Sequence, residues 1–160
     1  SIGKLQLQVF FAVMPSSSDQ PDVTQTLQFE IPVIGSGQHI LVIDPDMDVA
    51  QVFASVLEQA GFQVTIVRNA ADAMTLMEED MPGAVIMELM LPDISGLSLI
   101  QYIRNKPQGK SIPLVVVTSA SAGFQMGQAI DAGVDIFLSK PVGVDELLRG
   151  LVKVAPQKQN

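Results

Sequence analysis

From residue 39 onward, short apolar runs alternate with longer segments that carry an apolar residue every three or four positions. The short runs are rich in branched side chains and predict five strands, at 39–44, 63–67, 84–89, 113–118 and 135–139. The longer segments predict five amphipathic helices. This alternation favours a parallel sheet, because right-handed crossovers place helices on both of its faces. We therefore predict an α/β fold with a doubly wound, five-stranded parallel sheet.

The first and last helical segments show the clearest apolar faces. The predicted faces are Val49, Val52, Phe53, Val56 and Leu57 in the first helix, and Val144, Leu147, Leu148, Leu151 and Val152 in the last. Gly61 and Gly133 each follow a helical segment, at a position where a left-handed cap is expected. The first and last helices are therefore predicted to lie on the sheet.

Residues 1–37 show a different pattern. Apolar residues alternate with polar ones over 3–13 and 24–33, which predicts a β-hairpin. An isolated hairpin is only marginally stable in water, so we expect its apolar residues Val9, Phe11, Leu27 and Phe29 to be buried against another surface.

The domain limits follow from this change of pattern. We predict a hairpin extension over 1–37, the main domain over 38–155 and a tail over 156–160. The stretch 35–38 (GSGQ) has the composition of a linker. Deletion of 1–37 is therefore expected to leave the main domain folded, since the predicted sheet is complete without it.

Composition excludes several classes of function. The chain has 9 basic and 17 acidic residues, a net charge of −8, and such a surface repels nucleic acid and anionic lipid headgroups. It has no cysteine, which excludes thiolate chemistry and fits a reducing compartment, so we expect a cytoplasmic location. Only 16% of residues are charged, which favours packing against a neighbouring protein. Because the sequence starts at Ser1, we also expect it to be a piece of a longer protein.

Polar residues stand where the predicted strands end. They are Asp44, Pro45 and Asp46 after the first strand, Glu88 in the third, Thr118 and Ser119 in the fourth, and Lys140 and Pro141 after the fifth. In a doubly wound sheet, the carboxyl ends of the strands are where ligands and chemistry gather. The sequence therefore predicts a cluster of carboxylates, a hydroxyl and an ammonium at one edge of the sheet.

Four motifs at these strand ends resemble the response-regulator receiver family of two-component signalling. They are ILVIDPD (40–46), VIMELMLPDISG (85–96), VVVTSA (115–120) and FLSKPV (137–142). The resemblance covers the whole predicted domain. It implies a flavodoxin-like fold with strand order 2-1-3-4-5 and a role in phosphorelay signal transduction.

The resemblance also implies a role for each residue of the cluster. Asp44 fills the first acidic position of a magnesium site, Glu88 the phosphoacceptor position and Thr118 the switch hydroxyl. Phe137 fills the switch aromatic and Lys140 the phosphate-binding lysine. These assignments are carried over position by position and imply no catalytic residue in this chain.

Two positions depart from the family's pattern. Pro45 stands where a second acidic residue holds magnesium, and proline offers no side-chain oxygen; Asp46 is at most a partial substitute. Glu88 stands where the family has aspartate, and its extra methylene displaces the carboxylate by up to about 1.5 Å. In-line phosphoryl transfer tolerates errors of only about 0.5 Å. We therefore expect weak magnesium binding at best, no other cofactor, and no ordinary phosphorylation.

Three functions remain under consideration. The first is an atypical receiver that acts as a protein-interaction module with a histidine kinase, an output domain or a second copy; in it, Glu88 either mimics phosphate by reaching Lys140 or marks an unused site. The second is a receiver phosphorylated on Glu88 or on a nearby carboxylate such as Asp93. The third is a flavodoxin-like enzyme that binds FMN, which would need a phosphate loop where this chain has DPDMD (44–48).

The hairpin carries a second resemblance. GKLQLQV (3–9) and TLQFEIPV (26–33) are similar to the last strands of the histidine-kinase ATP-binding domain, with Leu27 and Phe29 at its aromatic positions. This similarity implies a hybrid histidine kinase as the parent protein. None of the nucleotide-binding motifs of that domain is present, so we expect this chain to be regulatory and not an enzyme.

Overall fold

The structure is a computed structural model that describes the backbone of residues 2–10 and 24–154 and the side chains of residues 30–152. Its first two strands, β1 (Ile2–Phe10) and β2 (Thr24–Pro32), pair antiparallel, with Ile2 opposite Pro32 and Phe10 opposite Thr24. The predicted hairpin is confirmed. The side chains of Val9, Leu27 and Phe29, and the whole of Phe11, lie outside the described residues, so their predicted burial stays a prediction.

The remaining strands form one parallel sheet. They are β3 (His39–Ile43), β4 (Gln63–Val67), β5 (Ala84–Met87), β6 (Leu114–Ser119) and β7 (Ile136–Lys140). Their spatial order is β4-β3-β5-β6-β7, and every neighbouring pair is parallel. Counted from β3, this is the order 2-1-3-4-5, and the predicted flavodoxin-like architecture is confirmed.

In the part of the chain that the structure describes, five α-helices connect or follow these strands. They are α1 (Met47–Gln59), α2 (Ala70–Glu79), α3 (Gly96–Asn105), α4 (Met126–Ala132) and α5 (Val144–Val154), with short 3₁₀ segments at Pro107–Gly109 and Ala120–Gln125. No helix within the described part of the chain is both long and apolar enough to span a bilayer.

The sheet separates two apolar layers. Along β3, Ile40 and Val42 pack under α1 and α5, whereas Leu41 and Ile43 pack under α2 and α3. This alternation follows from the period of two in a strand, and it explains why the central strands are continuously apolar. A sheet covered on both faces leaves its strand ends as the place for polar side chains.

Two residues of the predicted helix faces are exposed instead. Val52 is 47% exposed and Val152 is 45% exposed. In α1 the core contacts are made by the small residues Ala50 and Ala54 beside Phe53, which shifts the buried stripe away from Val52. Gly61 is left-handed as predicted, with φ of 101°, and so is Gly133, with φ of 116°.

Candidate functional site

Four strand ends bring the predicted cluster together. Asp44 follows β3, Glu88 follows β5, Thr118 lies near the end of β6 and Lys140 ends β7. The first three are buried, with exposed fractions of 2%, 7% and 0%. The strands β3, β5, β6 and β7 are consecutive neighbours in the sheet, which is why residues so distant in the chain meet.

Lys140 lies between two buried carboxylates. Its Nζ donates a hydrogen bond to Asp44 Oδ2 at 2.8 Å and another to Glu88 Oε1 at 2.9 Å. Burial alone would lower the pKa of Lys140, but the hydrogen bonds to Asp44 and Glu88 outweigh it and raise that pKa above its ordinary value. Counted by formal charge, one ammonium and two carboxylates give the cluster one excess negative charge.

The second oxygen of Glu88 accepts two further hydrogen bonds. Thr118 Oγ1 donates one, and the backbone N–H of Met90 donates the other at 3.0 Å. Among the described side chains, no buried polar atom lacks a hydrogen-bond partner. The carboxylate of Glu88 is therefore fully engaged, and it engages both Thr118 and Lys140.

Asp46 is directed away from this cluster. Its side chain caps α1 by accepting hydrogen bonds from the N–H groups of Asp48 at 3.0 Å and Val49 at 3.4 Å. Only its backbone N–H points back, to Asp44 Oδ1 at 2.9 Å. An N-cap interaction of this kind stabilises the helix start, so Asp46 does not fill the position left by Pro45.

Arg68 adds a cation that the sequence pattern did not indicate. It follows β4, and its Nε and Nη2 donate to the carbonyl oxygen of Pro45 at 3.3 and 3.2 Å. Its position directly after β4, the strand beside β3, could have predicted that it lies near Pro45. A guanidinium therefore lies beside the residue that replaces an expected magnesium ligand.

The residues present do not fit a magnesium site. Pro45 has no side-chain oxygen, Asp44 Oδ2 is occupied by Lys140, and both oxygens of Glu88 are engaged. Over the described ranges, no group of three or more His, Cys, Asp or Glu side chains could hold a metal ion. Magnesium prefers near-octahedral coordination by oxygen, and this set of donors does not supply it.

Two other candidates lie in packed or capping positions. Phe137 in β7 is partly buried and packs against the apolar layer under α2 and α3. The carboxylate of Asp93 accepts hydrogen bonds from the N–H groups of Ala70 at 3.0 Å and Ala71 at 2.8 Å, at the start of α2. These bonds, that from Ala70 foremost, lower the pKa of Asp93. Asp93 therefore caps α2.

Comparison with known sequences agrees with the motifs. The model of the response regulator receiver domain matches residues 40–151. An uncharacterised 14.6 kDa protein of Leptolyngbya boryana is 32% identical over 110 residues, which are 69% of this chain and 84% of that protein. Transcriptional regulatory protein GltR of Pseudomonas aeruginosa is 32% identical over 113 residues, 71% of this chain and 47% of GltR. The chain thus spans about half the length of GltR.

Solved structures agree with the fold. The receiver domain of sensor histidine kinase PA1611 from P. aeruginosa PAO1 has 27% identity and a TM-score of 0.69, with 75% of this chain and 98% of that one covered. That structure has a magnesium ion in its active site cleft. The CheY-like receiver domain from Methylobacillus flagellatus has 31% identity and a TM-score of 0.65, with 74% and 99% covered.

Proposed function

The chain belongs to the response regulator receiver family of two-component signalling, and from that premise we propose that it is an atypical receiver that works without phosphorylation at Glu88. In this proposal it is a protein-interaction module and a regulatory domain, not a catalytic one. Its proposed partners are a histidine kinase or an output domain, the kinds of protein with which receiver domains interact. Membership of this family also argues against the third function considered, an FMN-binding enzyme.

One observation carries the proposal: Glu88 itself accepts the hydrogen bonds of Thr118 and Lys140. The family resemblance assigns these two groups to the phosphoryl group and its switch. Here a permanent carboxylate holds them, in a cluster that already has one excess negative charge. Phosphorylation of Glu88 would replace the single negative charge of its carboxylate with the roughly −1.5 to −2 of a phosphoryl group, and so would add about one further negative charge to this cluster. Glu88 is therefore better placed to substitute for the phosphorylated state than to accept phosphate.

The absence of a fitting magnesium site supports the same proposal. Magnesium neutralises charge on a phosphoryl group during transfer, and its usual acidic ligand is replaced by Pro45. Arg68 donates to the carbonyl oxygen of Pro45 and Lys140 to the carboxylate of Asp44, so both positions have a side-chain cation as a partner. Fixed side-chain cations can balance charge, but they cannot coordinate a transferring group as a metal does.

The alternative is a receiver phosphorylated on Glu88 or Asp93. A carboxylate is a competent nucleophile in principle, so chemistry alone does not exclude either residue. Both oxygens of Asp93, however, accept hydrogen bonds from the first turn of α2, and both oxygens of Glu88 are engaged as well. Phosphorylation at either would have to break an existing set of hydrogen bonds first.

Intact-mass analysis after treatment with acetyl phosphate and magnesium tests the proposal. We expect no mass increase in the unmodified chain. Glu88→Asp alone should restore little uptake, because the metal ligand is still missing, whereas Glu88→Asp with Pro45→Asp should recover far more than the single changes summed. A stable gain of one phosphoryl group in the unmodified chain, lost on Glu88→Gln, would establish the alternative.

A magnesium titration gives an independent check. We expect no site tighter than roughly millimolar in the unmodified chain, measured by calorimetry or amide chemical shifts. Pro45→Asp should tighten binding because it adds an anionic oxygen. A micromolar site in the unmodified protein would contradict this expectation.

Mimicry of phosphate and simple decay of the site make different predictions. If Glu88 holds Thr118 and Lys140 in an activated arrangement, then Glu88→Ala should change the amide chemical shifts of α4, which holds no hydrogen-bond partner of Glu88, as well as those of its direct neighbours in β6 and β7. If the site is merely unused, changes should stay local. Asp80→Ala, at an exposed position after α2, is the control for a loss of one carboxylate elsewhere.

A further inference from the structure

Residues 31–37 comprise the last two residues of β2 and the junction that leads to β3, and the end of this segment has the composition of a linker. The structure buries it. Ile31 has an exposed fraction of 0% and belongs to the same apolar layer as Val56 and Leu57 of α1. Ile34 packs against that layer as well. The apolar core of the receiver therefore starts seven residues before the predicted boundary at residue 38.

The backbone of the segment is also bound. The N–H groups of Ile34 and Gly35 both donate to the carbonyl oxygen of Ala60, at 3.0 and 2.9 Å. The N–H of Gly37 donates to the carbonyl oxygen of Gly61 at 2.7 Å. These carbonyls lie just beyond the end of α1, where a helix has no internal partners for them. A flexible glycine-serine linker keeps its backbone solvated, and this one does not.

Two glycines allow the close approach. A Cβ on Gly35 would lie 2.7 Å from the ring of Phe62, which is buried. A Cβ on Gly61 would lie 2.5 Å from the carbonyl oxygen of Gly35, and its φ of 101° is itself unfavourable for other residues. The two backbones thus meet at a contact that a larger side chain on either glycine would disrupt.

From these contacts we infer an intramolecular docking site, formed by the end of α1, the turn at Gly61 and Phe62, whose occupant is the chain's own segment 31–37. Its role is to hold the β1–β2 hairpin in a fixed orientation to the receiver. The hairpin strands themselves lie against α1, in agreement with this role. Because α1 begins two residues after Pro45, one helix extends from the functional site to the docking site.

This inference replaces two expectations from the sequence. The segment 35–38 is a docked junction and not a free linker, and removal of residues 1–37 should destabilise the receiver because it removes Ile31 and Ile34 from the core. It also makes the occupied surface unavailable to another protein while the segment is docked. A signal between hairpin and receiver would then pass through a packed contact.

Hydrogen exchange in the full, unmodified chain tests the docking directly. The amides of Ile34, Gly35 and Gly37 should exchange at least about 100-fold more slowly than an unstructured chain, because each donates to a carbonyl of the receiver. Exchange of these three amides at the unprotected rate would overturn the inference, whatever the state of Glu88. The test is therefore independent of the proposed function.

Distance measurements between spin labels test the fixed orientation. The chain has no cysteine, so Glu30→Cys and Glu79→Cys provide exactly two labelling sites, both exposed. We expect a narrow distance distribution in this background and a broader one after Gly35→Ala. Gly127→Ala is the matched control, since a Cβ there meets nothing within 4 Å. A distribution already broad without Gly35→Ala, or equally narrow with it, would overturn the inference.

Discussion

Arg104 lies at the amino end of the parallel sheet and Lys140 at the carboxyl end, and each donates to several oxygen atoms of a different kind. At the amino end, the guanidinium of Arg104 donates to the carbonyl oxygens of Gly109, Ile112 and Gly133 and to the carboxylate of Asp135. At the carboxyl end, Lys140 donates to the carboxylates of Asp44 and Glu88. Arg104 is thus paired with one charge and several neutral dipoles, and Lys140 with two charges.

The difference separates a structural contact from a charge-sensitive one. Arg104 and Asp135 have opposite charges that balance each other. Through the three carbonyl oxygens, Arg104 also links the loops that precede β6 and β7. The Lys140 cluster keeps one excess negative charge in a buried place. Its contribution to the free energy of unfolding therefore changes whenever one of its groups gains or loses a charge. Disruption of the first should cost stability at any pH, and disruption of the second should have a cost that changes with pH.

Arg104→Met should have the largest effect. It removes the guanidinium from three carbonyl oxygens and leaves Asp135 with its hydrogen bond from the N–H of Leu114, and we expect a loss of about 3 kcal/mol in the free energy of unfolding. Urea denaturation at pH 6 and pH 8 should give the same loss within error. Arg149→Met, at an exposed position on α5, is the matched control and should stay within about 0.5 kcal/mol. A loss below about 1 kcal/mol for Arg104→Met would contradict a structural role for these contacts.

Lys140→Met should follow with a loss of about 2 kcal/mol near neutral pH, because it removes the ammonium that donates to the buried carboxylates of Asp44 and Glu88. Urea denaturation should show a loss that depends on pH. Lys140 compensates the two carboxylates only in its charged form, and although burial opposes it, the hydrogen bonds to Asp44 and Glu88 raise its pKa above the ordinary value. If the loss were independent of pH, then the two ends of the sheet would not differ as we propose.

The cluster at the carboxyl end of the sheet was largely predictable from the sequence, and the Arg104 contacts at the amino end were not. Asp44, Glu88, Thr118 and Lys140 were found because strand ends can be located from apolar patterns and because their motifs resemble one family. Arg104 was missed, since most of its partners are backbone carbonyls in loops, and no residue type marks those positions. The direction of the Asp46 side chain was not predictable either, because its partners are backbone N–H groups at the start of α1.

The junction shows another limit of sequence patterns. Glycine and serine in 35–38 are typical of flexible linkers, yet Gly35 is required here by the nearby ring of Phe62. Composition shows that a glycine is present, but not whether it serves flexibility or a close approach of the backbone to other atoms. The distances in the structure distinguish these two explanations, and a sequence pattern does not contain them.

Thr118→Val should have a smaller effect than either cation variant. It keeps the buried shape but removes the hydroxyl donor to Glu88, which still accepts from Lys140 and from the Met90 amide. We expect a loss of about 1 kcal/mol in the free energy of unfolding. Thr75→Val is a control, because that hydroxyl is exposed and donates only to a carbonyl of its own helix. Measured together with Lys140→Met in a double-mutant cycle, Thr118→Val should be non-additive, since both groups bind Glu88.

The smallest expected effect is a loss of stability at alkaline pH. The pKa of Lys140 is raised in the folded protein by Asp44 and Glu88 against the opposing effect of burial, so the folded state holds this proton more tightly than the unfolded state does. The resulting stabilisation is fully present below the unfolded pKa, near 10.5, and is lost as the pH rises through the higher folded value.

Tyr102 and Lys106 also have raised pKa values and titrate in this window, so the unmodified chain alone cannot isolate the effect of Lys140. The informative quantity is the difference from Lys140→Met in the free energy of unfolding, measured by urea denaturation from about pH 9 to about pH 11.5. That difference should shrink as the pH rises, because a neutral Lys140 no longer compensates the two carboxylates. A constant difference across this range would mean that the lysine contributes by packing and not by its charge.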